Sequence, residues 1–347
     1  MNADNLRGEA ALAVPDRMRR AVLVRPGEIR IEETPTPKPG PSEVLVRVVA
    51  ATTCGSDLKA YLRGHPKMPM PGPFGHEYSG IVAASGVGAS FEPGQAVMGV
   101  HTAPCRACLW CERGQENLCE SIMDTMVLGA YAEYLLIPHR IASANLFAKP
   151  DDLPFEVACL LEPLSCVAQA LELAPPRVGD RCLVIGPGAI GLMFVAGLRR
   201  LGVQEIVLAG RNPERLAVGE RLGARTASLR EADLPNSFDL VIECTGQVEI
   251  WERSVSFARR GGTVILFGGC PPGTQARFDT ARLHYDQIRL VSPFHFGTAA
   301  VRQAREWLLE PGFDLRPLLS GDRPLDELEA AFNDLQAGRG LKFVIRP

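Results

Sequence analysis

The chain has 347 residues, more than the roughly 250–300 over which a single core keeps growing, so two domains are expected. With 46% hydrophobic and 22% charged residues it has the make-up of a globular protein, which excludes a disordered or fibrous chain. A net charge of −3 without any basic block argues against general binding to nucleic acid or to a membrane surface.

Residues 1–17 carry no periodicity and are expected as an N-terminal tail. They contain acids and lack an apolar core, so they are not read as a secretory leader, and the cytoplasm is the expected compartment. From there AVLV (21–24), EIRIEE (28–33) and EVLVRVVA (43–50) predict short strands, separated by the stiff PTPKPGP of 35–41. Turn residues stay dense to about residue 150, as in an irregular barrel or sandwich. After Pro154 the pattern changes. EVACLLEPLSCVAQALEL is helical, and RCLVIGPGAIGLMFVAGLRRLG, EIVLAGRNPERLAVGERLGA, DLVIECTG and GGTVILFGG then alternate apolar strands with helical stretches. Strands spaced by helices predict a doubly wound parallel sheet with helices on both faces. The last stretch returns to helix and closes in the strand LKFVIRP. The expected fold class is α/β: a β-rich domain over 18–155, an α/β domain over 156–294, and a segment over 295–347 that packs back on the first domain. The longest uncharged run, Cys182 to Leu198, falls short of a membrane span of about 20 residues and is broken by glycines.

Gly186-Pro187-Gly188-Ala189-Ile190-Gly191 follows an apolar strand and opens a helix, the context a dinucleotide-binding turn requires. Gly186 permits the tight turn, Gly188 lets backbone approach a pyrophosphate, and Gly191 lets helix pack on strand. The following strand, Glu205 to Ala209, does not end in the acid that would hold a free ribose hydroxyl. Gly210, Arg211 and Arg215 stand there instead; glycine makes room and the arginines can pair with a 2′-phosphate, so NADP(H) is expected over NAD(H).

Ten cysteines in a cytoplasmic chain favour metal binding over disulfides. Cys105, Cys108, Cys111 and Cys119 form C-x2-C-x2-C-x7-C, a spacing that can close a tetrahedral zinc site with no open position and hence a structural one. The short loop suits zinc better than an iron–sulfur cluster, and its surroundings are not basic enough for a nucleic-acid ribbon. A second, dispersed set comprises Cys54 in CGSD, His76 and Glu77 in FGHEYSG, and Glu162 in LLEPLSC. Together they offer one sulfur, one nitrogen and one or two oxygens, and a catalytic zinc takes three protein ligands with one position left over. Asp57 is placed to orient the His76 ring.

On these residues the chain resembles the zinc-dependent medium-chain dehydrogenase/reductases of the alcohol dehydrogenase superfamily, nearest the sorbitol (polyol) dehydrogenase branch. The resemblance runs from about Met18 to Pro347 through CGSD, GHEYSG, the four-cysteine lobe, EPL at 162–164, GPGAIG and the closing LKFVI. It implies a GroES-like catalytic domain joined to a Rossmann domain. It also implies two zinc ions per chain, one catalytic and one structural, and hydride transfer between a small alcohol or ketone and a nicotinamide cofactor. A homotetramer or dimer is the implied assembly. Cys54, His76 and a glutamate would hold the catalytic zinc; members with Glu at both positions differ in which one coordinates, so Glu77 and Glu162 both stand. Ser56 matches the hydroxyl that receives the substrate proton, and Lys59 occupies the place of a relay histidine. Thr245-Gly246, Phe267-Gly268-Gly269 and the segment beginning at Phe294 match stretches lining the nicotinamide. Where the polyol branch has an Arg-Tyr pair gripping substrate hydroxyls, this chain has His295-Phe296. Fewer donors remain there, which opens the expected substrate to secondary alcohols and amino-alcohols besides polyols. A zinc-free quinone reductase on the same fold would lack Cys54, His76 and the lobe. A non-catalytic binding protein would be expected to have lost Ser56, a ligand or the glycine motif. A nucleotide-dependent methyltransferase shares a glycine-rich loop but not the zinc residues.

Overall fold

A computed structural model describes residues 14–229 and 236–347. The chain divides into two compact units. One runs to Pro163 and takes in Gly297–Glu310 and Leu319–Pro347; the other comprises Leu164–Phe296 and Pro311–Leu318. The contacts thus divide the chain at Pro163, against the sequence boundary of 155, and most of the segment after 295 belongs with the first unit. Most of the expected tail over 1–17 lies outside the described residues, and the first strand already begins at Arg17.

Strands of the first unit are β1 (Arg17–Arg25), β2 (Glu28–Pro35), β3 (Val44–Thr52), β4 (Gly72–Pro73), β5 (Tyr78–Ser85), β6 (Ala96–Gly99), β7 (Tyr134–Ile137) and β8 (Leu146–Ala148). The second unit supplies β9 (Arg181–Ile185), β10 (Glu205–Ala209), β11 (Arg225–Ala227), β12 (Phe238–Glu243), β13 (Ala258–Leu266) and β14 (Arg289–Val291). The chain then returns to the first unit with β15 (Leu319–Pro324) and β16 (Lys342–Arg346). The helices used below are α1 (Gly55–Arg63), α2 (Leu161–Leu173), α3 (Ala189–Arg200), α4 (Pro213–Arg221), α5 (Val248–Phe257) and α6 (Thr298–Leu309).

In the first unit β2, β1 and β4 form a small antiparallel sheet, and a larger one runs β15-β16-β3-β5-β6-β8 with β7 also on β3. β3 is central because VLVRVVAAT is apolar on both faces; most of its residues are buried. Around it Val44, Val46, Phe74, Tyr78, Tyr131 and Phe332 make the core.

All six strands of the second unit are parallel, in the order β11-β10-β9-β12-β13-β14. This is the Rossmann order 3-2-1-4-5-6, and its reversal point falls between β9 and β12. Registers are level at the carboxyl ends: Ile185 lies opposite Ala209 and Glu243, and Glu243 opposite Leu266. Gly186, Gly210, Thr245 and Gly268 therefore leave the sheet along one edge. The apolar runs read as strands are buried on both faces, as a parallel sheet covered by helices demands. No described helix is long and apolar enough to cross a membrane.

Candidate active site

Sheet register gathers the dispersed ligand candidates of the first unit. Ala51 of β3 pairs with Tyr78 of β5, so Cys54 just beyond β3 and His76-Glu77 just before β5 emerge at the same edge. β16 pairs Val344 with Thr52, which brings Lys342 to that edge as well. Cys54 sits at the N-cap of α1 in extended conformation, and the next turn carries Ser56 and Asp57.

Ligand atoms of Cys54, His76 and Glu77 lie within 4.8 Å of one another. Ser56 Oγ donates to Cys54 Sγ at 3.2 Å. Asp57 Oδ1 is 3.0 Å from His76 Nδ1, which turns Nε2 the other way, to 3.9 Å from Glu162 Oε2. The second Glu162 oxygen is 3.5 Å from Nδ1 of His101, whose ring centroid is 4.8 Å from that of His76. The two glutamates keep different company. Both Glu77 oxygens meet the Lys342 ammonium, at 2.8 and 2.7 Å, and one also accepts the Thr52 hydroxyl. Lys342 Nζ donates further to the Thr53 carbonyl at 2.7 Å.

Charge in this cluster follows burial and partners. Burial pushes the Glu162 carboxyl up to about 7, against the pull of His76. Burial works against a charged His76, but Asp57 and Cys54 outweigh it and hold the ring well above its ordinary value. Lys342 also stays above the ordinary lysine range: burial opposes its charge, and Glu77 restores it. A thiol, an imidazole and a carboxylate facing one another in a mostly buried cluster are the donor types that hold zinc while leaving one position over, so these residues fit the ion.

The four cysteines of the lobe converge too. Their sulfurs lie within 4.8 Å of one another, with Cys105–Cys111 at 3.9 Å and Cys108–Cys111 at 3.6 Å. Four sulfurs about 2.3 Å from one centre stand roughly 3.8 Å apart, so the spacing fits a tetrahedral zinc site. Donors surround the sulfurs: Cys105 N–H points at Cys119 Sγ, Ala107 N–H at Cys105 Sγ, and the Arg140 guanidinium at Cys119 Sγ. Burial raises the Cys119 thiol, but the backbone donors prevail and bring it down to about 6.

In the second unit each glycine of the turn has its own reason. Gly186 has φ 107°, in the left-handed region. A Cβ on Gly191 would stand 2.0 Å from the Gly186 carbonyl oxygen, whereas one on Gly188 would meet nothing. Gly188 is the N-cap of α3 and offers no side chain to its first N–H groups, which leaves them available to a pyrophosphate; the residues fit a dinucleotide. Ile190 lies half-buried in the first turn of α3. Gly210 has a packing reason independent of any phosphate, since its Cβ would be 2.3 Å from Pro187 Cδ. Arg211 is exposed just before α4. Arg215 sits half-buried in its first turn, where desolvation lowers the guanidinium pKa. Its N–H is capped by Asn212 at 3.1 Å.

Thr245 and Gly268 belong to one knot around Glu243. That buried carboxylate accepts from the N–H of Thr245 at 2.6 Å, the Thr245 hydroxyl and the N–H of Gly246, and its backbone carbonyl accepts from Phe267 and Gly268. Phe294 is half exposed, His295 has φ 54°, and Phe296 is buried with its ring 4.0 Å from that of His295. Sequence reasoning had missed Glu243, His101, Tyr131 and Lys342. A charged residue inside the apolar strands DLVIE and LKFVI was the available signal for two of them, because a buried charge implies a buried partner.

Comparison with known proteins agrees with this geometry. Residues 40–150 match the alcohol dehydrogenase GroES-like domain and residues 189–310 the zinc-binding dehydrogenase domain. An alcohol dehydrogenase from Thermus sp. ATN1 is 30% identical, with 95% of this chain and 99% of that one covered at a TM-score of 0.83. A protein from Sinorhizobium meliloti 1021 described as a zinc-binding dehydrogenase, solved with NADP, is 26% identical. There 96% and 100% of the two chains are covered at a TM-score of 0.87. L-Threonine 3-dehydrogenase of Deinococcus deserti is 28% identical over 90% of this chain and 94% of its own. The chain belongs to the zinc-dependent medium-chain dehydrogenases, with a GroES-like domain and a Rossmann domain. It is an oxidoreductase of the alcohol dehydrogenase type that uses zinc and a nicotinamide cofactor.

Proposed function

We propose that this enzyme transfers hydride between a secondary alcohol, polyol or amino-alcohol and NADP(H), with one catalytic and one structural zinc per chain. The observation that carries the catalytic assignment is the meeting of Cys54, His76 and Glu77, whose ligand atoms lie within 4.8 Å of one another, with Glu162 Oε2 3.9 Å from His76 Nε2. In this reading Glu162 is the third protein ligand. Glu77 is the anion that keeps Lys342 charged beside the site, because both its oxygens are already engaged. Zinc, when bound there, supplies Lewis acidity at the alcohol oxygen. Ser56, beside the Cys54 sulfur, takes the hydroxyl proton and passes it toward solvent. A nicotinamide, when bound, would supply the hydride chemistry. Thr245-Gly246 and Gly268, knotted by Glu243, would form a fixed wall for the nicotinamide half of the cofactor.

NADP(H) is favoured by Arg211 and Arg215 beyond the end of β10, where the residue directly after the strand is Gly210 and not a carboxylate. Amino-alcohols enter the substrate class from the relatives named L-threonine 3-dehydrogenase. The loss of the Arg-Tyr pair at His295-Phe296 points the same way, toward substrates less dependent on many hydroxyls. The test follows nicotinamide absorbance with NADP⁺ and NAD⁺ over secondary alcohols, polyols and β-hydroxy amino acids, with and without chelator. Chelator-sensitive reduction of NADP⁺ by one of these classes is expected. Turnover that survives complete zinc removal, or a preference for NAD⁺, would overturn the metal or the cofactor assignment respectively.

A further inference from the structure

Resting on the reading of Cys54 and His76 as metal ligands, we propose that Tyr131 is a positioning residue for His76. Its hydroxyl fixes Asp57, and Asp57 fixes the ring nitrogen turned away from the metal. The Tyr131 hydroxyl donates to Asp57 Oδ2 at 2.7 Å and lies 3.1 Å from the Thr52 carbonyl oxygen. The other Asp57 oxygen faces His76 Nδ1 at 3.0 Å, and among the described residues neither of those two atoms has another hydrogen-bond partner. All three side chains are buried. A carboxylate held at one oxygen alone can rotate about its Cβ–Cγ bond; the phenol at the second oxygen stops that rotation. With Nδ1–H committed to Asp57, the Nε2 lone pair is the one left for an ion.

Tyr131 is itself firmly placed. Its carbonyl accepts from Ala21 N–H at 2.8 Å and its N–H donates to the Phe74 carbonyl at 3.2 Å. Its ring meets Phe74 edge-on, with centroids 5.4 Å apart. The ring also lies flush on Gly75, where a Cβ would stand 2.6 Å from it. The glycine before His76 is therefore the clearance for this ring. One residue thus reaches the ligand by two routes, through the backbone at Gly75 and through Asp57 at the imidazole.

Tyr131→Phe removes the hydroxyl and keeps the ring. In chelator competition on the folded enzyme, zinc at the Cys54–His76 site is expected to bind about 10- to 100-fold more weakly, with the lobe zinc unchanged. The visible absorption of the cobalt-substituted site should shift as well. Asp57→Asn is expected to weaken the same site at least as much, and the double variant no more than Asp57→Asn alone, because both act through one contact. Phe74→Leu serves as the packing control: a lower Tm with zinc affinity unmoved. The proposal is overturned if Tyr131→Phe binds zinc within twofold of wild type, if its loss adds to that of Asp57→Asn, or if Phe74→Leu weakens zinc equally. A wild-type chain that takes up zinc only at the cysteine lobe would instead sink the ligand reading, so the two failures are distinguishable.

Discussion

Near His76 two buried glutamates keep different partners. Glu77 neutralises a fully buried Lys342, whereas Glu162 presents one oxygen to His76 and the other to His101. Glu162→Gln is therefore expected to weaken zinc at that site by more than about 100-fold, read by chelator competition, with little change in urea stability. Glu77→Gln leaves Lys342 buried without a counter-charge and should destabilise the fold by about 3 kcal/mol while the site still takes zinc. The reverse pattern would make Glu77 the ligand. Arg211 is exposed just before α4, and in the proposed 2′-phosphate role its charge-assisted bond would be worth about 1.5–3 kcal/mol. Arg211→Ala should accordingly raise the Kd of NADPH roughly 10- to 100-fold and leave that of NADH unchanged in fluorescence titration. An equal loss for both cofactors would remove the 2′-phosphate from its role.

Elements couple the lobe to the rest of the first unit. Glu116, between Cys111 and Cys119 in sequence, accepts from the N–H of Thr298 at 2.8 Å and from its hydroxyl, and so caps α6 from outside the helix. A borrowed cap of this kind is worth about 1 kcal/mol. Opening the lobe with Cys108→Ser should cost that cap in addition to the metal, so its Tm is expected to fall further than that of Glu116→Gln, while bound zinc drops by one ion per chain. An unchanged Tm in Cys108→Ser would show that the lobe does not hold α6. The lobe and the glycine turn were legible in the sequence because their chemistry is local: four cysteines within one loop, three glycines within one turn. Apolar runs around them marked the strands of both units for the same reason. Gly210 shows the limit of that reading, since its contact with Pro187 comes from the neighbouring strand and gives the residue a purpose its own sequence position does not disclose.

At the scale of the molecule, what the sequence hid is what long-range register assembles. Lys342 lies 265 positions from Glu77 and meets it only because β16 pairs with β3. Tyr131 lies 74 positions from Asp57, in a stretch that the sequence marks only as dense in turn residues. The same burial that builds this core sets its behaviour in alkali. Burial, then the neighbouring Glu329, pushes the Tyr61 phenol from 10 up to about 12, and burial raises Tyr78 further. Such phenols keep their protons in the folded chain after the unfolded chain has lost them. Above pH 10 the unfolded state therefore binds fewer protons, and stability falls as pH rises. The contribution of Tyr61 is fully present below pH 10 and is lost on passing to about pH 12, up to about 2 kcal/mol. Tyr61→Phe, which also loses the 3.0 Å bond to Glu329, should be the less stable protein at pH 8 and lose less stability than wild type between pH 10 and 11.5. Urea titrations of both proteins across that range read the difference directly, and effects of alkali common to both cancel in it. Parallel declines would mean that Tyr61 ionises alike in the folded and unfolded chains, and that its burial against Glu329 does not hold its proton.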